Sequence, residues 1–217
     1  NDTLKRSKFK KNIVVYGSTL KNRKLSSNYT NLNFNKSFLK SSSKSYVLEF
    51  LKIEKNNKSD IIELHNRPSY LKYLFNLDYA KKVLYFHNDP LEMTGSRSVN
   101  DRIYLMNNLD KIIFNSDWSK SQFVKDLNKK YKLSTKLIVI KQSIDKKNVN
   151  IKNKKKIITF VGKLNRAKGY DIFGKAILPI LDKHKEWSSI VIGDEPREKI
   201  NFKHSKLKNL GFQKHLN

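Results

Sequence analysis

Short apolar runs, rich in β-branched and aromatic residues, recur along the chain with little polar alternation inside them. They are Ile13 to Tyr16, Ile61 to Leu64, Val83 to Phe86, Ile112 to Phe114, Leu137 to Ile140, Ile157 to Val161 and Ile190 to Ile192. Runs of this length and composition predict strands buried on both faces, as parallel strands are. Between them apolar residues fall three and four apart: Tyr46, Val47, Phe50, Leu51; Ile103, Leu105, Met106, Leu109; Phe123, Val124, Leu127; and Ile172, Phe173, Ala176, Ile177, Ile180, Leu181. These spacings predict amphipathic helices. Ser116, with Ser119 three residues on, suits an N-cap, and Asp117 suits a first helical turn. Pro179 predicts a kink in the last helix or the end of its first section. Ser41 to Ser45 reads as a local loop or a helix entry.

Strand alternating with helix predicts an α/β chain of doubly wound, parallel-sheet units. The densest basic stretch, Asp145 to Lys156 (DKKNVNIKNKKK), has no periodicity and reads as a connection. The expected organisation is therefore one unit over residues 1–145, a basic linker over 146–156 and a second unit over 157–217. There is no internal repeat of fixed period.

The 217 residues are 38% hydrophobic, enough to build a core and to argue against wholesale disorder. Cysteine is absent, which excludes disulfides and thiolate metal centres. The five histidines show neither HxxxH nor HExxH spacing, so no metal is expected. No apolar run approaches the roughly 20 residues of a membrane-spanning helix, and the first residues lack a signal-peptide core, so the chain is read as soluble and cytoplasmic. Lysine and arginine number 46 against 19 aspartates and glutamates, a net charge of +27. That charge invites a nucleic-acid reading. Yet the lysines are spread along the whole chain beside abundant Asn and Ile, as codon bias in an AT-rich genome produces, and the aromatics sit within the apolar stripes. No specific nucleic-acid partner is expected; the surface suits anionic partners, including peripheral contact with an anionic membrane at its inner face.

In open α/β sheets ligands lie beyond the carboxyl ends of the strands, so the residues after each run carry the candidate chemistry. Arg67, in His65-Asn66-Arg67-Pro68, could hold a carboxylate or phosphate, or belong to a polar turn capping the next helix. His87 precedes Asn88, Asp89 and a flexible stretch with Gly95, Ser96, Arg97 and Ser98; it could donate a hydrogen bond to a sugar hydroxyl or a leaving phosphate, or be structural. Asn115 and Ser116 open a helix whose amides could meet an anion, though plain capping explains them as well. Gly162, Lys163 and Lys168 belong to VGKLNRAKGYD (Val161 to Asp171), where two ammonium groups five residues apart suit a diphosphate whose charge is developing. This is neither GxxxxGK[ST] nor GxGxxG. Ile192 to Pro196 reads as a packing turn.

With these residues in view, the chain resembles the family 4 glycosyltransferases. FVGKLNRAKGYD (Phe160 to Asp171) is similar to the Gly-Arg/Lys, short loop, Lys-Gly signature that opens that family's donor domain. KIIFNSDWSKS (Lys111 to Ser121) is similar to the last part of its acceptor domain, and LIVIKQSID (Leu137 to Asp145) to the segment leading into the interdomain crossing. DIIELHNRP and FHNDP resemble its strand ends at the cleft. The resemblance implies two facing Rossmann-like units (the GT-B architecture). It also implies a retaining transfer from a nucleotide-diphosphate sugar to a glycan or lipid-linked acceptor. Lys163 and Lys168 would hold the diphosphate in place of a metal ion, and His87 would lie in the cleft. Ser143 stands where the family usually has Gly. The family's Gly-rich loop has no counterpart near the start, and its paired glutamates would fall beyond Asn217, so the chain is expected to be the middle of a longer product, with both units incomplete. The rival readings are a basic nucleic-acid-binding module and an inactive fragment that keeps only the fold.

Overall fold

The computed structural model describes residues 7–19, 25–33, 42–142, 152 and 154–213. The chain divides into two compact units, Asn1–Asp145 and Lys146–Asn217. In the first, β1 (Val15–Gly17) pairs in parallel with β2 (Tyr29–Asn31), and α1 (Ser42–Glu54) follows. A four-stranded parallel sheet then runs in the order β3 (Ile61–His65), β4 (Lys81–Phe86), β5 (Lys111–Phe114), β6 (Leu137–Val139). Helix α2 (Val99–Asn108) links β4 to β5, and α3 (Asp117–Val124) and the single turn α4 (Lys129–Lys132) link β5 to β6. The second unit is a parallel sheet of β7 (Ile157–Val161), β8 (Ser188–Ile192) and β9 (Leu207–Asn209), with α5 (Tyr170–Lys183) between the first two. The strands β2 and β9 escape the sequence reading because YTN and LKN carry no apolar run. Among the described residues no helix is long and apolar enough to cross a membrane.

The four-stranded sheet packs one face. Leu84 and Phe86 of β4, Ile112 and Phe114 of β5 and Leu137 of β6 meet Leu105, Met106 and Leu109 from α2 and its C-cap, with Phe123 and Leu127 from α3 and the turn after it. Ile62 joins Val47 of α1 in a second cluster with Leu74 and Ala80. The opposite face is more open, with Ile61 at 61% and Ile140 at 50% exposure. Burial on both faces, expected from the near-continuous apolar runs, is therefore not what the described residues show. Half the apolar positions in each strand supply the core, and the intervening ones, including Glu63, His65 and Tyr85, stand on the other side. The same holds for β7, where Val161 is 71% exposed.

Three local expectations change. Of the two alternatives for Pro179, an end to the helix is not taken: α5 continues to Lys183 with the proline exposed, and Tyr170, Gly174, Ile177 and Leu181 form the buried stripe. Helix α3 ends at Val124, and Asp126 turns the chain with φ 62°, yet Leu127 still reaches the core. The loop with Gly95 to Ser98, expected to be flexible, is pinned. The Ser96 hydroxyl donates to the Pro90 carbonyl at 2.5 Å, and Ser98 caps α2 in a reciprocal box with Asp101. The buried Arg102 guanidinium donates to the carbonyls of Ser96, Arg97 and Lys125, which ties this loop to the end of α3. Residues 143–151 and 153, with Ser143 and most of the basic connection, lie outside the described residues, as does Ser41.

Phe86, Phe114 and Phe123 are fully buried, and the Phe123 ring centroid lies 5.7 and 5.3 Å from the other two. Phe123→Ala removes the helix-borne member of this trio, so it is expected to cost about 3–5 kcal/mol. Urea unfolding of the variant checks this; an unchanged midpoint would mean the three-ring contact does not hold α3 to the sheet.

Candidate functional site

Two strand-end clusters carry the chemistry, one in each unit. In the first, the parallel register sets His65 opposite Tyr85, and side chains two apart share a face, so Glu63 and His65 of β3 stand beside Tyr85 of β4 and His87 just after it. His65 Nε2 lies 3.0 Å from Glu63 Oε1, and His65 Nδ1 lies 2.8 Å from His87 Nε2. His87 Nδ1 lies 2.8 Å from Gln142 Nε2, which arrives from beyond β6. The two imidazoles are 5.1 Å apart between centroids and 12° from coplanar, and the Tyr85 ring meets His87 edge-on at 4.2 Å. Tyr85 is anchored in turn, its hydroxyl donating to the Ile140 carbonyl at 2.9 Å.

The backbone of His87 is held from both sides. Its N–H donates to Asn66 Oδ1 at 2.7 Å, and its carbonyl accepts from Asn115 Nδ2 at 2.8 Å. Asn66, at φ 53°, donates its own N–H to the Tyr85 carbonyl, a left-handed turn that asparagine tolerates. Hydrogen bonding from His65 holds the Glu63 carboxyl below its ordinary range. Partial burial lowers the pKa of His87 and the neighbouring His65 adds to this, against a smaller opposing pull from Glu63. The balance favours the neutral imidazole of His87.

The other residues singled out in this unit take different roles. Asp89 does not reach His87: its side chain accepts from Leu91 N–H at 2.9 Å and caps the short 3-10 turn Pro90–Glu92. Asn88 is exposed, and Arg97 donates to the Glu92 carbonyl at 3.1 Å. Ser116 is the cap of α3, accepting from Ser119 N–H at 3.1 Å. Arg67 donates to the carbonyl of Asn66 at 2.9 Å and lines a cavity of about 410 Å³ with Ser42, Ser43, Tyr46, Ser69 and Thr94. Glu63, Tyr85 and Gln142 carried no sequence signal read as chemistry. The i, i+2 pairs Glu63/His65 and Tyr85/His87, once placed on adjacent strands, were the available clue.

In the second unit the turn between β7 and α5 carries Lys163 and Lys168, both exposed. Gly162 N–H donates to the Ile192 carbonyl at 3.0 Å, continuing the ladder past the end of β7. Buried Leu164 anchors the turn from below. Asn165 Oδ1 accepts from Lys168 N–H at 3.0 Å, and its carbonyl accepts from Tyr170 N–H at 3.1 Å. Gly169, at φ 72°, then delivers the chain into α5 without a Cβ penalty. Asp171 in the first turn of α5 has a buried Oδ1 with no hydrogen-bond partner.

The acidic turn after β8, expected to serve packing, also meets this cluster. Glu195 is buried and gripped by Arg197 through two bonds of 2.7 and 3.0 Å, and its Oε2 lies 3.9 Å from Lys163 Nζ. The Arg197 hydrogen bonds, with help from Lys163, draw the Glu195 carboxyl down to about 2. Lys163 therefore has an acidic neighbour, while its side chain stays 62% exposed.

No protein-family model matches the chain, and no curated protein matches it. Among solved structures it is similar to TarM, known from S. aureus, at 13% identity and TM-score 0.56 over 78% of this chain and 36% of that one. It is similar to Anabaena HepE, solved with UDP-glucose, at 14% identity and TM-score 0.57 over 78% and 52%. S. aureus MnaA, solved with UDP, matches at 15% identity and TM-score 0.50 over 84% and 54%. The chain spans about a third to a half of the length of these proteins. The likeness is one of fold: α/β with Rossmann-like parallel-sheet units of the GT-B type.

Gly193, at φ 139°, stands where an added Cβ would fall 1.8 Å from the Gly162 carbonyl oxygen. Gly193→Ala is expected to destabilise the second unit by about 2 kcal/mol or more, read in thermal unfolding; a wild-type melting temperature would count against this close approach. Glu195 has a lowered folded pKa, so its contribution is present above its ordinary value of 4.5 and is lost as the pH falls toward about 2. In Glu195→Gln that acid-side loss of stability should flatten; an unaltered pH profile of unfolding would remove the assignment.

Proposed function

We propose that the chain carries glycosyl transfer from a nucleoside-diphosphate sugar to a glycan or lipid-linked acceptor, with retention at the sugar. The observation that carries this reading is the turn between β7 and α5, which presents Lys163 and Lys168 at the carboxyl end of a parallel strand. That edge is where α/β sheets bind ligands. The fold likeness supports it, since HepE and MnaA were solved with UDP-glucose and UDP.

The chemistry follows from where charge develops. As the bond to the diphosphate breaks, negative charge grows on the leaving oxygens and positive charge on the sugar ring. Ammonium groups already fixed beside those oxygens stabilise the separation more in the transition state than in the ground state. Lys163 and Lys168 supply that charge, so the reading invokes no metal ion. The contact of Lys163 with Glu195 does not block this role. At 3.9 Å it is a long contact from an exposed lysine, and Arg197 alone satisfies the buried carboxylate through two shorter bonds. His87 serves the sugar or the acceptor in this reading.

UDP is the appropriate probe for the diphosphate. Lys168→Ala is expected to weaken UDP binding about tenfold or more, equivalent to about 1.4 kcal/mol, and to abolish transfer in the full-length protein while circular dichroism stays that of the wild type. Titration calorimetry of this chain with UDP reads the first effect, and turnover with UDP-glucose the second. Unchanged binding would remove Lys168 from the site.

A further inference from the structure

Glu63, His65, His87 and Gln142 form an unbranched chain of contacts at 3.0, 2.8 and 2.8 Å, and with both imidazoles neutral the carboxylate at one end sets the direction of the hydrogens along it. The ionised Glu63 carboxylate only accepts, so His65 Nε2 carries the hydrogen that points at it. A neutral imidazole protonated on Nε2 has a lone pair on Nδ1, so in the next contact His65 accepts and His87 Nε2 donates. The same rule leaves the lone pair of His87 on Nδ1, and the Gln142 amide that faces that atom can meet it with an N–H. All three contacts are thus matched in one direction; with both rings neutral, reversing the middle contact would leave His65 without the hydrogen that Glu63 accepts.

We infer that Glu63 and His65 are positioning residues that hold His87 in its Nε2–H tautomer, leaving Nδ1 as a hydrogen-bond acceptor for a substrate hydroxyl that takes the place of the Gln142 amide. Three observations beyond the distances support this. The other groups facing His87 leave the tautomer to Glu63: Tyr85 meets the imidazole with its ring edge, while Asn66 and Asn115 bond only its backbone. Gln142 is exposed, so its amide exchanges for another donor at small cost. The lowered pKa of His87 keeps the ring neutral and Nδ1 free to accept. This reverses at Nδ1 the donor role that the sequence suggests for His87. The inference rests on the sugar-transfer reading for the choice of a sugar hydroxyl as ligand; the tautomer itself does not depend on it.

Long-range proton–nitrogen spectra of the nitrogen-15-labelled chain near neutral pH test the inference. The wild type should show His87 Nε2 at a shift typical of a protonated ring nitrogen and Nδ1 at one typical of a lone-pair nitrogen. In Glu63→Gln the terminal amide both donates and accepts, so the direction of the chain is no longer imposed, and the two His87 shifts should move toward each other. Glu63→Asp retains a carboxylate and should keep them further apart than Glu63→Gln does. A His87 tautomer unchanged in Glu63→Gln, with wild-type circular dichroism, would overturn the positioning role. Methyl α-glucopyranoside serves as the hydroxyl probe: it should shift His87 Nδ1 in the wild type and do so at several-fold lower concentration in Gln142→Ala. If Nδ1 does not respond in either protein, the hydroxyl docking is wrong. The sugar-transfer reading is judged apart from this, by UDP binding at the Lys168 turn.

Discussion

In a parallel ladder every strand runs the same way, so the residues that leave a sheet do so along one edge. The four-stranded sheet has this geometry, with β3, β4, β5 and β6 in consecutive parallel register. Asn66, His87, Asn115 and Gln142, which follow four different strands, therefore collect around one backbone segment, and His87 receives a contact from each of the other three. In the second unit β7 and β8 impose the same rule on Gly162 and Gly193, whose backbones approach too closely for a Cβ at the latter. Without that common edge neither cluster would exist, because no two of these segments are neighbours in sequence.

Each edge is stiffened by bonds to backbone groups that leave functional atoms outward. Asn66 and Asn115 spend their side chains on the main chain of His87, and Asn165 spends its own on the main chain of Lys168. Arg102 does comparable work deeper down, where its guanidinium draws three carbonyls from two loops together. Burying a guanidinium carries a desolvation cost that only several acceptors offset. Its position under the loop with Gly95 to Ser98 explains why that glycine- and serine-rich segment is ordered. Glu54 plays the matching part at the end of α1, accepting from Ser59 and from the Tyr79 hydroxyl.

The two clusters differ in electrostatic character, and the difference follows their neighbours. Around His87 a carboxylate is relayed through one imidazole to another, and the ring at the far end stays neutral. Around Lys163 and Lys168 the acid in direct contact with Lys163 is a glutamate already satisfied by Arg197, while Glu198 accepts from the Arg166 N–H of the same turn. One cluster is suited to directional hydrogen bonding, the other to opposing negative charge. The chain carries a net charge of +27, and most of its lysines among the described residues face solvent; what distinguishes this pair is its place on a capped turn at a strand end.

Most of the order of elements was legible from residues alone, the strands β2 and β9 excepted. Seven strand positions, the stripes of α1, α2, α3 and α5, the Ser116 cap and the Lys163 to Lys168 turn all arise from patterns a few residues long, which local sterics and hydrophobic period encode directly. Folding alone decided which side chains meet. The contact of His65 with His87 spans 22 residues and that of His87 with Gln142 spans 55, and both depend on strand register, which no local pattern specifies. Asp89, adjacent to His87 in the chain, turns instead to its own helical cap, and Glu195, read as part of a packing turn, reaches Lys163. Hydrophobic spacing told which residues enter the core; the parallel register, fixed only when that core forms, told which polar residues share an edge.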